Sequence, residues 1–319
     1  MRVLITGGGG FLGSNVVKFF LEKKIQVRAF DLAGQFEQSL VAKDAEIYKG
    51  SILDVNALSN AMRDCDSVIH LAAMLGVERT EKRRLDCLEI NINGTLNVLE
   101  ACVKNNIKKI IFASSSEVYG EPITTPITET HPLNPKSTYA ITKLAGEEYV
   151  KAYSERYGLS YTILRFFNIY GPGQVAEFVI PRFIKSVILG STPLINGDGS
   201  QIRSFCHVKD ISVGVWLALV KDISGSNIFN LGSDKEPISV LDLAKKIIGI
   251  SGKDIEPKFV NWKDSDRTES RDIIKRIPDI TKARRMLGFS PEIKLEEGLK
   301  ELVASYVEAK WAKPANYKT

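Results

Sequence analysis

The segment "STYAITKLAGEEYV" places Tyr139 and Lys143 four residues apart in a run of helical spacing, so both side chains leave one face of a helix. A lysine ammonium, helped by a cationic cofactor ring, shifts a phenol toward ionisation near neutral pH. Such a tyrosine can remove a hydroxyl proton while the same carbon loses hydride, the proton half of an alcohol oxidation. The spacing alone also arises by chance in many helices. Upstream, "FASSSEVYG" ends a strand with Ser114, Ser115, Ser116 and Glu117. So polar an end is odd for a buried strand unless it faces a site, the alternative being a solvated loop. Ser115 can share the Tyr139 proton through its hydroxyl, and Glu117 adds a carboxylate.

A hydride needs an acceptor, and the first residues supply a place for one. "MRVLITGGGGFLGSN" runs a strand into Gly7-x-x-Gly10-x-x-Gly13 and then a helix. Glycine runs also make plain turns and linkers. Between a strand and a helix they permit a tight turn and close backbone approach, with helix N–H groups offered to a pyrophosphate. Gly8 and Gly9 are expected to keep the turn slim enough for a ligand to lie against it. Asp31 ends the next strand in "VRAFDL", where a carboxylate accepts from ribose hydroxyls and repels a 2′-phosphate, favouring NAD over NADP. Strand alternation points Arg28 elsewhere. Asp54 in "GSILDV" reads equally as a contact to the adenine edge or as a helix N-cap.

These residues need a scaffold with strand ends converging on one edge. "RVLIT", "QVRAF", "AEIYKG", "SVIHLA", "KKIIFAS", "YTILRFF" and "NIFNLG" are near-continuous apolar runs, the mark of strands buried on both faces. Amphipathic stretches such as "SNVVKFFLEKK", "DVNALSNAMRD" and "INGTLNVLEACVKNN" alternate with them, which predicts an α/β, Rossmann-like, doubly wound parallel sheet. Residues 1–167 form the dinucleotide-binding domain, completed by sheet from about 205–232, and 168–319 a smaller mixed α/β lobe. In that lobe "FNIYGPGQ" and "LINGDGSQIRSF" read as loops, and "FVIPRFIKSVILG", "SVLDLAKKIIGI" and "ITKARRMLG" as helices. Ser239 with Asp242 gives the second of these a capping-box-like start.

Composition narrows the partners. A net charge of +5 over 319 residues is mild and dispersed. The basic pieces "KARR" and "KWAKPANYKT" suit solvated helix faces better than a nucleic-acid surface, and the surplus suits an anionic small ligand. Four cysteines without C-x-x-C spacing read as buried thiols of a reducing compartment. The three histidines are too scattered for a metal site, and neither a signal peptide nor a membrane span is visible. The expectation is a cytoplasmic protein that binds neither nucleic acid nor membrane.

Taken together, "TGGGGFLG", Asp31, "HLAA", "NINGTLNVLEA", "SSSEVYG", "YAITK" and "RFFNIYGPG" resemble the extended short-chain dehydrogenase/reductases of the nucleotide-sugar epimerase/dehydratase group, in family order across essentially the whole chain. The resemblance implies a tightly held NAD along Gly7, Gly10, Phe11, Leu12, Gly13, Asp31, Asp54, Leu71, Ala72 and Ala73, reaching Tyr139 and Lys143. It implies a nucleoside-diphosphate sugar oxidised at C4, with Ser115, Tyr139 and Lys143 handling protons. Asn168, Arg203 of "GDGSQIRSF" and Arg276 of "KRIPDI" match residues that contact the substrate diphosphate, and Ser116 lies on the substrate side. A homodimer is the family's common state.

The family splits after C4 oxidation. Glu117 is similar in position to the C5 base of the 4,6-dehydratases and to a glutamate of the uronate decarboxylases, where simple epimerases carry a small residue. Ser116 departs from the acid that deoxythymidine-diphosphate-glucose dehydratases place before this glutamate, yet resembles the guanosine-diphosphate-mannose type. "GDGSQIRSF" is similar to the decarboxylases, whereas "NPKSTYAITK" departs from their arginine-bearing loop. Dehydration leads narrowly, 4-epimerisation (UDP-glucose or UDP-glucuronate type) follows and UDP-glucuronate decarboxylation is third. A reductase with dissociable cofactor would use the same pair and need added NAD(P)H.

Overall fold

The computed structural model describes residues 1–37, 39, 41, 45–221, 227–264 and 272–308. The stretch "KWAKPANYKT" lies outside them. Strands β1 (Arg2–Thr6), β2 (Gln26–Asp31), β3 (Glu46–Lys49), β4 (Ser67–His70), β5 (Lys109–Ser115), β6 (Ser160–Phe166) and β7 (Asn227–Leu231) form one 7-stranded sheet in the order β7-β6-β5-β4-β1-β2-β3. Every pairing in it is parallel. The order reverses between β1 and β4, so the loops at their carboxyl ends diverge and leave a crevice.

Burial on both faces explains the apolar strands. Val3 and Ile5 point into a core with Ile69, Ile111 and Leu164, covered by α1 (Phe11–Glu22). Leu4 points the other way, among Val68, Ile110, Phe112 and Ile163. That face is covered by α2 (Val55–Ala61), α3 (Gly94–Lys104) and α4 (Thr138–Tyr157), the last contributing Val150. Each such fully buried side chain contributes about 1.5–3 kcal/mol.

A third core lies between α5 (Val179–Ile188), α7 (Val240–Ser251) and α9 (Leu295–Glu308), joining Phe183, Ile184, Leu243, Ile247, Leu299 and Leu302 beneath Tyr170 and Phe205. Ser239 caps α7 by accepting from the Asp242 amide at 3.0 Å. The chain returns to the sheet twice: Ile211, Val215 and Ala218 of α6 (Val208–Val220), and Ala283 and Leu287 of α8 (Thr281–Leu287), pack in the core of β1 and β7. The two segments read as loops hold short strands. Ile169–Tyr170 pairs with Cys206–His207, Ile202–Arg203 lies between Ile238–Ser239 and Lys275–Arg276, and Leu194–Asn196 pairs with Lys258–Val260. Two- and three-residue strands paired to distant segments leave no alternation in the sequence.

All four cysteines are buried and free. Among the described residues no helix is long and apolar enough to cross a membrane, and no three metal-ligating side chains come together.

Candidate active site

A cavity of about 910 Å³ opens where the sheet order reverses and runs into the smaller lobe. Its walls include Gly7, Gly10, Phe11, Leu12, Gly13, Asp31, Leu71, Ala72 and Ala73 at one end. Ser115, Ser116, Glu117, Tyr139 and Lys143 lie in the middle, and Asn168, Arg203 and Arg276 on the lobe side. One expected residue is missing.

Asp54 stays outside the cavity. Its Oδ1 accepts from the amides of Asn56 (2.9 Å) and Ala57 (3.0 Å), which makes it the N-cap of α2. The cap satisfies two otherwise open helix N–H groups, so of the two sequence readings the structure shows the N-cap.

The glycine turn separates into two kinds of position. Gly7 has φ +72 and sits against Ala72, whose amide nitrogen would be 2.7 Å from a Cβ. A Cβ on Gly13 would overlap the Gly7 carbonyl oxygen, so both are required by the protein's own packing. Gly10 differs: its φ is −74 and a Cβ would meet only the Gly7 oxygen, at 3.4 Å. It faces the cavity, at the start of a helix with no side-chain cap and no acidic residue in its first turn. A slim, positively polarised helix start with open amides fits a pyrophosphate. Gly8 and Gly9 turn away from the cavity, their Cβ positions lying 2.9 Å from the Ala29 and 3.1 Å from the Gln35 Cβ atoms. The protein, and not a ligand, demands that they be small, which corrects the sequence expectation.

Asp31 ties this turn to β2. Its Oδ2 accepts from the Gly9 amide at 3.0 Å and its Oδ1 from the Leu32 amide at 2.8 Å. Burial pushes its carboxyl up while these amides pull it down. Arg28 points away as alternation requires, donating to the carbonyls of Ala61 (2.6 Å) and Arg63 (3.0 Å) and pairing with Glu46 at 2.8 Å. Behind the turn, His70 lies between the hydroxyls of Thr6 (2.7 Å) and Thr95 (3.0 Å), kept neutral by burial that lowers it to about 3. Sequence reasoning did not single out this histidine.

Helix α4 presents Tyr139 and Lys143, the candidate proton-handling pair. Ser137 caps it by accepting from the Ala140 amide at 3.1 Å. Lys143 is 4 % exposed; its Nζ donates to the Ala113 carbonyl at 2.8 Å and stands 5.7 Å from the Tyr139 ring centre. Burial lowers its ammonium to about 8. The Ser115 hydroxyl accepts from the Glu117 amide at 3.2 Å and lies near enough to the Tyr139 phenol to favour its ionisation. Without a cofactor the phenol is raised and not lowered, by burial first and the nearby Glu117 charge second, against Ser115 and Arg276. The sequence expectation of a depressed phenol therefore holds only once an external cation arrives, and a bound nicotinamide ring supplies that charge. The donor set fits an oxidised dinucleotide.

Glu117 hangs at the end of β5. Its Oε2 accepts from Ser137 Oγ at 3.2 Å and its Oε1 lies 3.8 Å from Arg276 Nη1. Ser116 is 1 % exposed with no partner for its hydroxyl, and Arg276 Nε is likewise buried and unpartnered. Asn168, at φ +30, donates to the Ser204 carbonyl at 3.1 Å. Arg203 donates to the Ile202 carbonyl at 2.9 Å and to Asp272 Oδ1 at 3.1 Å. Arg79, in the segment "AAMLGVERTEKRRLDCLEI" that the sequence places at the sugar pocket, and Glu177 are both on the cavity wall and pair at 2.9 Å. The Ser-x-Tyr spacing at 137–139 was the available signal for Ser137; for Glu177 there was none.

Comparison with known proteins places this geometry. Residues 3–232 match the model of the "NAD dependent epimerase/dehydratase family". A putative UDP-glucose 4-epimerase of Methanocaldococcus jannaschii is 36% identical over 94% of this chain and 97% of its own. A UDP-N-acetyl-alpha-D-glucosaminuronate decarboxylase of Bacillus cytotoxicus is 35% identical over 96% of this chain and 98% of its own. The crystal structure of a dTDP-glucose 4,6-dehydratase from Streptomyces venezuelae with bound NAD superposes with a TM-score of 0.90 at 28% identity, covering 98% of this chain and 99% of that one. With a family match over most of the chain and a cradle and Ser–Tyr–Lys set that suit the cofactor, the chain belongs to the NAD-dependent epimerase/dehydratase enzymes, and NAD is its cofactor.

Proposed function

We propose that the protein oxidises a nucleoside-diphosphate sugar at C4 and then removes water across C5 and C6, as a 4,6-dehydratase. The observation that supports this is the place of Glu117, a carboxylate on the cavity wall close enough to act on the Tyr139 phenol. NAD, when bound, would supply the acceptor for the C4 hydride and the source of its return to C6. Tyr139 takes the C4 hydroxyl proton, with the Ser115 hydroxyl near its phenol favouring the ionised form. Lys143, anchored to Ala113, supplies positive charge beneath the ring. The C4 ketone acidifies the C5 proton. Glu117 would remove it and pass a proton to the C6 oxygen, which leaves as water, and C5 would take a proton from solvent as the hydride returns to C6. Ser116, next in the chain and with a free hydroxyl, can hydrogen-bond the departing oxygen. Asp31 holds the adenosine ribose, and Asn168, Arg203 and Arg276 hold the substrate diphosphate, where guanidinium forks suit phosphate oxygens.

A second reading, 4-epimerisation, is favoured by the partners of Glu117. Both carboxylate oxygens face a partner, Ser137 and Arg276, so the residue can serve purely as their anchor. Epimerisation needs no base at C5.

The test is incubation in heavy water with UDP-glucose, UDP-glucuronate and dTDP-glucose, recording product mass and C5 deuteration. Loss of water with deuterium retained at C5 supports dehydration. Unchanged mass with inversion at C4 replaces it by epimerisation, and loss of carbon dioxide from the uronate by decarboxylation.

A further inference from the structure

We infer that Glu147 and Arg165 are the hub of a buried polar network that positions both the proton-handling helix and the segment bearing Arg276. Glu147 is 0% and Arg165 2% exposed. Arg165 donates from Nε to Glu147 Oε1 at 2.9 Å and from Nη2 to Oε2 at 2.6 Å, a two-pronged pair between α4 and β6. Ser114 Oγ donates to the same carboxylate at 2.5 Å.

The placement of this carboxylate is what gives it a role in the reaction. Glu147 follows Lys143 by one helical turn and Tyr139 by two. Ser114 is the chain neighbour of Ser115, and Ala113 receives the Lys143 ammonium. Successive turns of α4 are thus bonded to successive residues of β5, which fixes the helix against sliding along the strand. Close approach makes this possible: a Cβ on Gly146 would overlap the Phe112 ring. Apolar residues of similar volume hold a helix on a sheet as well as a buried ion pair does, so what the pair adds is register.

The network continues away from the helix. Arg165 Nη1 donates to Tyr119 Oη at 3.0 Å, and Tyr119 donates to Asn230 Oδ1 at 2.6 Å. Asn230 Nδ2 in turn donates to the carbonyls of Ile127 (2.9 Å) and Asp279 (3.3 Å). Ile127 exchanges backbone bonds with Ile277 and Asp279, both at 2.8 Å, immediately after Arg276. One connected set of side chains therefore runs from beneath Tyr139 to the strand that carries Arg276. The Arg276 branch rests on the proposed contact of that residue with the substrate diphosphate.

Three single-group deletions in the NAD-loaded enzyme test this. Turnover is followed with the nucleotide sugar found above, UDP affinity by calorimetry and folding by thermal melting. Ser114→Ala, which removes only the hydroxyl on Glu147, is expected to lower kcat about tenfold with KM and UDP affinity unchanged, since small displacements of reacting groups are costly. Ser114→Thr keeps the hydroxyl and restores kcat. Tyr119→Phe, which cuts the link from Arg165 to Asn230, is expected to weaken UDP about fivefold while leaving kcat. Full kcat in Ser114→Ala, or losses in kcat and affinity that move together with melting temperature, overturns the inference. Arg276→Ala separates the two ideas. Unchanged UDP affinity there removes the diphosphate contact and leaves the helix branch standing; weakened UDP there but not in Tyr119→Phe overturns the second branch.

Discussion

Lys143 Nζ is bonded to the Ala113 carbonyl at 2.8 Å and stands 5.7 Å from the centre of the Tyr139 ring. The ammonium is thus fixed by the strand beside the Tyr139 ring. Its burial has a measurable signature. The ammonium falls from an ordinary 10.5 to about 8, so between those pH values the unfolded chain holds a proton that the native chain has released. Stability therefore rises with pH across that window, and below pH 8 the native state carries a burial cost of about 3 kcal/mol. Melting curves of the NAD-free protein should show this rise between pH 8 and 10.5, and Lys143→Met should lack it. Parallel curves for the two would contradict the burial argument.

Glu117 opposes ionisation of Tyr139. In Glu117→Gln that negative charge is gone, so the phenolate forms at lower pH. Single-turnover C4 oxidation, read as NADH absorbance, should then reach its plateau at lower pH than in the wild type. A limb shifted to higher pH would show that the carboxylate acts on the phenol in some other way.

The glycine turn offers a clean contrast. Gly13→Ala forces a Cβ into the Gly7 carbonyl and should destabilise the NAD-free protein by about 3 kcal/mol. Gly10→Ala meets no close protein atom, so its melting should stay within about 0.5 kcal/mol of the wild type. Its NAD affinity should nevertheless fall about tenfold or more, roughly 1.4 kcal/mol. Retention of full NAD affinity in Gly10→Ala would place the pyrophosphate elsewhere.

Asp54→Ala removes the cap of α2 and should cost about 1 kcal/mol of stability. NAD affinity should not change. A large loss of affinity with intact melting would restore the adenine contact.

What the sequence revealed follows from the range of the interactions. Six of the seven strands were legible because burial on both faces writes continuous apolar runs, β3 being a largely exposed edge strand, and Tyr139–Lys143 because a helix repeats locally. Asp54 was ambiguous since a helix cap and a ligand contact demand the same side chain. Gly8 and Gly9 were misassigned because the atoms that crowd them, in Ala29 and Gln35, belong to other elements. The phenol of Tyr139 was expected low because its lysine is visible in sequence, whereas the burial that outweighs it is not. Glu147 and Arg165 are 18 residues apart and Tyr119 and Asn230 are 111 apart, so no periodicity joins them.

Strand β7 completes the sheet beside β6 only after the chain has passed through Ile169–Tyr170, α5 and α6. Ribosomal synthesis proceeds from the N-terminus, so the nascent chain exposes the unpaired edge of β6 while these later segments are still being made. By then the glycine turn, Asp31 and the Ser–Tyr–Lys set have all been translated. The nascent chain thus carries the whole proposed hydride-transfer site at the moment when its own sheet is most open to pairing with another chain.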